Sequence, residues 1–103
     1  MLIFVESPLF SDRVLDYLDD TEYAKLQVTL LDRTGAGVLI PKSGGIRKLR
    51  WAAKGKGKRG GLRVIYYWQK AEDEVWMLTL YAKNEEQNIP VQTLKAILAE
   101  FKE

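Results

Sequence analysis

The chain contains no histidine and no cysteine. Any proton transfer it performs therefore falls to lysine, tyrosine, aspartate or glutamate, and neither a Ser-His-Asp nor a Cys-His nucleophile can be assembled. A structural zinc site lacks its usual thiolate and imidazole ligands. What the chain does have is positive charge gathered in one place. Residues 42–63 carry nine basic side chains and no acidic one, whereas residues 1–41 hold three basic and seven acidic, and residues 64–103 four and seven. A net charge of +2 thus conceals consecutive blocks of about −4, +9 and −3. Such a concentration recruits polyanions, of which nucleic acid is the commonest. A solvated lysine-rich loop is the alternative, although ordinary surfaces interleave both signs.

The basic block centres on Ala53-Lys54-Gly55-Lys56-Gly57-Lys58-Arg59-Gly60-Gly61. Gly55 to Gly60 satisfies G-x-G-x-x-G, but the dinucleotide fingerprint needs a strand before it and a helix after it. Here a strand follows. No Gly-Lys-Ser/Thr closes the run as a phosphate loop either. It reads as a flexible hairpin tip whose glycines let the backbone approach phosphates while its lysines supply charge; a loop kept soluble by lysine would look the same.

On the flanking strands, Lys48 and Arg50 alternate with Leu49 and Trp51. Arg63, Ile65 and Tyr67 share one face of the next strand, and Met77, Thr79, Tyr81 and Lys83 one face of the last. If the basic faces coincide, Lys48, Arg50, Arg63, Tyr81 and Lys83 form a cluster with Lys54 and Lys56 reaching over it. Crowded cations suit a polyanion or a developing negative charge, and they lower a lysine's pKa toward that of a general base. Tyr66, Tyr67 and Tyr81 fit plain strand packing equally well. Trp51, Trp68 and Trp76 read as core or interface residues.

The elements that position these groups follow from periodicity. Leu2–Val5 reads as a strand, with Ser7 as N-cap and Pro8 at the first helical position. Phe10, Val14, Tyr17 and Leu18 mark one helical face. A second helix, capped by Asp20 or Thr21 and burying Tyr23, Leu26, Leu30 and Leu31, ends near Gly35 and forms an antiparallel hairpin with the first. Gly35 to Gly45 reads as loop. From Ile46 the period becomes two, and strands follow at Leu62–Gln69 and Val75–Lys83 around a turn at Ala71–Glu74. Gln92–Lys102 is a helix with Leu94, Ile97, Leu98 and Phe101 on one stripe. The order β-α-α-β-β-β-α predicts an α+β fold, an antiparallel sheet with helices on one side.

With 103 residues, 47% of them hydrophobic, the composition predicts one domain over residues 1–103. A disulfide framework is excluded by the lack of cysteine. No apolar run reaches membrane-spanning length, and Met1-Leu2-Ile3-Phe4-Val5-Glu6 has no signal-peptide pattern. A soluble cytoplasmic protein is expected.

Three segments carry a resemblance: Gly45-Ile46-Arg47-Lys48-Leu49-Arg50, the basic loop running from Ala53 through Arg63 to Tyr67, and Leu78-Thr79-Leu80-Tyr81-Ala82-Lys83-Asn84-Glu85. Together they resemble the RelE/HigB family of bacterial toxin–antitoxin modules. The lysine-glycine hairpin and the Tyr-x-Lys-Asn-Glu strand end are similar to its HigB-type branch. The resemblance implies a RelE-like fold and the toxin component of a type II toxin–antitoxin system. Such a toxin is a metal-independent, cofactor-free endoribonuclease that enters the ribosomal A site and cuts mRNA during translation. A cognate antitoxin holds it inactive, here expected from a neighbouring gene and of helix-turn-helix type, wrapping the helices or covering the basic face.

In that family the 2′-hydroxyl attacks the adjacent phosphate, a cationic cluster stabilises the transition state, and a cyclic phosphate can result. Lys48 and Arg50 match the basic strand, Arg63 the arginine opening the third strand, and Lys83 a basic position ending the fourth. The resemblance then implies Arg63 as clamp on the scissile phosphate, Lys83 as second charge stabiliser, and Lys54 or Lys56 as base. Tyr81 would orient the nucleotide or assist proton transfer. Arg47, Lys48, Arg50, Lys58 and Arg59 would hold messenger and ribosomal RNA. Two positions depart from RelE. Asn84 stands where RelE has an arginine, and Ile89-Pro90-Val91-Gln92 offers no counterpart of its tyrosine near the last helix. A ParE-like inhibitor of DNA gyrase on the same scaffold would act by protein contact and would not need the lysine hairpin. A simple RNA-binding module is the third reading.

Overall fold

Ser7 fastens the first helix to the sheet. Its hydroxyl accepts from the Phe10 amide at 2.9 Å as an N-cap and donates to the Leu78 carbonyl at 2.7 Å, and Pro8 occupies the first turn, where its missing N–H costs nothing. The computed structural model describes residues 1–52, 61–85 and 88–102. Its elements are β1 (Ile3–Glu6), α1 (Pro8–Tyr17), α2 (Asp20–Asp32), β2 (Val38–Leu39), β3 (Ile46–Trp51), β4 (Leu62–Gln69), β5 (Glu74–Ala82) and α3 (Val91–Phe101). Asp19 rather than Asp20 or Thr21 caps α2, accepting from the Glu22 amide at 2.8 Å.

The fold is α+β, as the element order predicts, and its sheet is mixed. Five strands run in the order β1-β5-β4-β3-β2. The β3–β4–β5 meander is antiparallel, but β1 lies parallel to β5. Helices α1 and α2 carry the chain from one edge strand of the sheet, β1, to the other, β2. Val38–Leu39, expected as loop, forms the opposite edge strand against β3.

Helices occupy both faces rather than one. Phe10, Val14, Leu26 and Leu30 of α1 and α2 pack on Val64, Tyr66, Met77 and Leu80. On the other face, Leu94 and Leu98 of α3 cover Ile46, Ile65, Trp76 and Leu78, and Phe101 stacks on Trp76 with ring centroids 5.0 Å apart. Leu31, expected inside, is exposed. Among the described residues no helix is long and apolar enough to cross a membrane.

One irregularity decides which side chains meet. Ile65 pairs with Thr79, but the next residue, Tyr66, pairs with Met77. The bulge at Leu78 shifts the alternation of β5 by one residue. Met77 therefore faces α1 and α2, whereas Tyr81 lies on the α3 face with Ile65. The single face expected for Met77, Thr79, Tyr81 and Lys83 is broken at that point.

Candidate nucleic-acid interface

Two rows of paired residues cross the sheet. Lys48 pairs with Ile65 and Ile65 with Thr79; Arg50 pairs with Arg63 and Arg63 with Tyr81. Directly paired residues share a face, so the ladder brings Lys48, Arg50 and Arg63 to one side. Lys83, in the turn just after β5, joins them. These four cations line one cleft of about 640 Å³ together with Val38, Ile40, Pro41 and Asn88. The cations come from three strands or their ends, far apart in sequence, which is the convergence that alternation predicts.

The cleft is held from several directions. Lys48 Nζ donates to Asn88 Oδ1 at 3.2 Å, tying β3 to the segment before α3. Arg63 is only 7% exposed, and its Nη1 donates to the Leu62 carbonyl at 3.2 Å. The Lys83 amide donates to the Gly61 carbonyl at 3.1 Å, so Lys83 starts from a fixed backbone position while its side chain stays exposed. Gly61 itself has a φ of +62°, and a Cβ there would meet the Trp51 carbonyl oxygen at 2.8 Å. Only glycine fits this close crossing at the neck of the basic segment. Among the described residues no group of three or more His, Cys, Asp or Glu side chains could hold a metal ion.

Residues 33–102 match the family model described as the RelE toxin of the RelE/RelB toxin–antitoxin system. The chain belongs to the RelE toxin family. A solved structure of the E. coli toxin RelE in the free state, a mutant with two arginines replaced by alanine, superimposes with a TM-score of 0.60 at 10% identity. The alignment covers 91% of this chain and 93% of that one. At such identity the likeness is one of fold. The RelE family match begins after α2 and runs through α3, so it includes every cation of the cleft.

Other residues singled out from the sequence fall elsewhere in this RelE-type toxin. Arg47 lies on the opposite face of β3 from Lys48. Its Nη1 donates to the carbonyls of Gly35 at 3.1 Å and Gly37 at 2.8 Å, so it secures the connection between α2 and β2. Tyr81 is 2% exposed and sits in the core with α3, beside its ladder partner Arg63 but outside the residues that line the cleft. Lys54, Lys56, Lys58 and Arg59 lie outside the described residues. The apolar part of the lining was missed. Three consecutive β-formers, Val38-Leu39-Ile40, were the available signal for a short strand there.

Proposed function

We propose that this RelE-family toxin is a ribosome-dependent, metal-independent endoribonuclease that cuts mRNA during translation and is neutralised by a cognate antitoxin. What supports the reading is the cleft itself, in which Lys48, Arg50, Arg63 and Lys83 converge. An arginine offers paired N–H donors to the non-bridging oxygens of a phosphate, and Arg63, buried and lining the cleft, suits that role. The 2′-hydroxyl of the nucleotide before the cut attacks the phosphorus, and the bond to the 5′-oxygen of the following nucleotide breaks. A 2′,3′-cyclic phosphate results and, as the leaving oxygen takes a proton from solvent, a 5′-hydroxyl. Arg63 and Lys83 stabilise the extra negative charge, while Lys48 and Arg50 hold neighbouring phosphates. Lys54 or Lys56 takes the 2′-proton, and Tyr81, the ladder partner of Arg63, positions that arginine. Without histidine, the rate must come mainly from placement and fixed charge.

The toxin works in the cytoplasm, on ribosomes, as a single domain. Its antitoxin, a helix-turn-helix protein from the adjoining gene, covers the cationic cleft or wraps the helices. The deciding experiment uses ribosomes programmed with a defined message. Arg63→Ala is expected to cut about a hundredfold to a thousandfold more slowly than wild type, the usual effect of removing one charge-stabilising donor. Arg63→Lys, run alongside with thermal unfolding of all three proteins, separates lost chemistry from lost fold. Equal cutting by wild type and a folded Arg63→Ala would remove Arg63 from the mechanism. Intact messages accompanied by DNA breaks would replace the reading with gyrase poisoning.

A further inference from the structure

Helix α1 reaches β5 and the turn after it through three polar side chains. The Ser7 hydroxyl donates to the Leu78 carbonyl at 2.7 Å, and Arg13 Nη1 donates to the Leu80 carbonyl at 3.4 Å. Tyr17, the last residue of α1, donates to Glu85 Oε1 at 2.6 Å. The first two contacts grip the strand itself. The third grips a side chain two residues beyond Lys83.

The turn from Ala82 to Glu85 is closed by the Glu85 amide, which donates to the Ala82 carbonyl at 3.0 Å. It sends its opposite charges in different directions. Lys83 lines the cleft with Lys48, Arg50 and Arg63. Glu85 is turned to Tyr17, which packs with the α1 and α2 core on the other face of the sheet. Burial, followed by Glu85, pushes the Tyr17 phenol up to about 12, so the hydroxyl keeps donating at neutral pH.

Among the described residues that line the cleft, none is acidic, and none of the salt bridges involves Lys83. Glu85 is nevertheless the acidic residue nearest to Lys83 in the sequence. Two residues apart in a turn, the two side chains are long enough to meet. A lysine paired in that way has less charge to offer a phosphate, and a carboxylate at the mouth of the cleft repels RNA.

We infer that Tyr17 is a positioning residue: by bonding Glu85 on the α1 side of the turn, it keeps that carboxylate away from Lys83 and out of the cleft. The inference deepens the ribonuclease reading and rests on it for the task given to Lys83. Tyr17 itself touches no RNA.

The test is binding of a short single-stranded RNA whose 2′-O-methyl groups prevent cutting, titrated over a range of salt. Tyr17→Phe, which removes only the hydroxyl, is expected to bind about twofold to fivefold more weakly than wild type, the size of one exposed ion pair. Its log–log salt slope should be smaller by about 0.7, the value of one phosphate contact. Glu85→Gln alone should bind no more weakly than wild type. Combined with Tyr17→Phe, it should restore both affinity and slope, a rescue that a hydroxyl needed only for folding would not permit. Unchanged binding in Tyr17→Phe overturns the inference. A double variant as weak as Tyr17→Phe overturns it too, and so does a wild type that binds no RNA. Cutting on programmed ribosomes judges the ribonuclease reading separately, since the affinities decide the role of Tyr17 whether or not messages are cut.

Discussion

Arg50 and Arg63 stand directly opposite each other across the β3–β4 ladder. Like charges in opposed positions weaken strand pairing by about 0.2–1 kcal/mol, and an anion lying between the two would relieve that repulsion. Replacing Arg50 by threonine, a good strand former, is expected to raise the unfolding free energy read by urea titration by an amount in that range. The same change should lower RNA affinity and reduce the log–log salt slope by about 0.7, the single-strand value for one phosphate contact. A less stable Arg50→Thr protein with an unaltered salt slope would contradict both halves.

Alkaline stability provides a second check. Tyr17 donates to Glu85 at 2.6 Å, and burial, followed by Glu85, pushes its phenol from 10.0 up to about 12. Tyr23 donates to Glu6 at 2.6 Å and is pushed up for the same two reasons. A raised phenol pKa means that the fold favours the protonated group. That contribution is complete below pH 10 and disappears as the pH rises through about 12. Urea unfolding should show stability falling across this window. In Tyr17→Phe the fall should be shallower, with about 0.5 kcal/mol already missing at neutral pH because solvent reaches this hydrogen bond. Identical slopes for the two proteins would refute the assignment.

Gly61→Ala should damage both stability and cutting. Its new Cβ would press on the Trp51 carbonyl from a backbone with φ of +62°, a strain of about 1–3 kcal/mol. The Gly61 carbonyl also receives the Lys83 amide, so the shift would reach the cleft. Thermal unfolding and the cutting rate, measured together, are expected to fall together.

Ser7→Ala offers the contrasting case. It removes the cap of α1 and its bond to Leu78, costing about 1–2 kcal/mol. Ser7 is not among the residues that line the cleft. Denaturant titration should show the loss, while cutting per folded molecule at a temperature well below unfolding should match wild type.

Much of this was legible in the residues. Alternation alone put Lys48 and Arg50 on one face of β3 and Leu49 and Trp51 on the other, and the ladder keeps that division. The same rule, applied fully, would have sent Arg47 away from its two basic neighbours, where it holds the Gly35 and Gly37 carbonyls. Periodicity failed at Leu78 because a bulge is one extra residue that no composition marks; everything before it in β5 changes face. It was equally silent on the parallel partner of β1, since β1 and β5 are distant in sequence and their pairing depends on the course of the chain between them. Tyr81 illustrates the remaining gap. Its place in a strand was readable, but its 2% exposure depends on α3, which arrives from beyond the cleft.

The bond from Ser7 to Leu78 spans 71 residues, and β1 beside it waits for β5 before it has any neighbour. Contacts of such long sequence separation form late. A nascent chain that has just left the exit tunnel with α1 and α2 therefore carries an unfinished sheet and lacks Arg63 and Lys83 altogether. The order of synthesis therefore delays the cleft, which stays incomplete until β5 and the turn carrying Lys83 have been made.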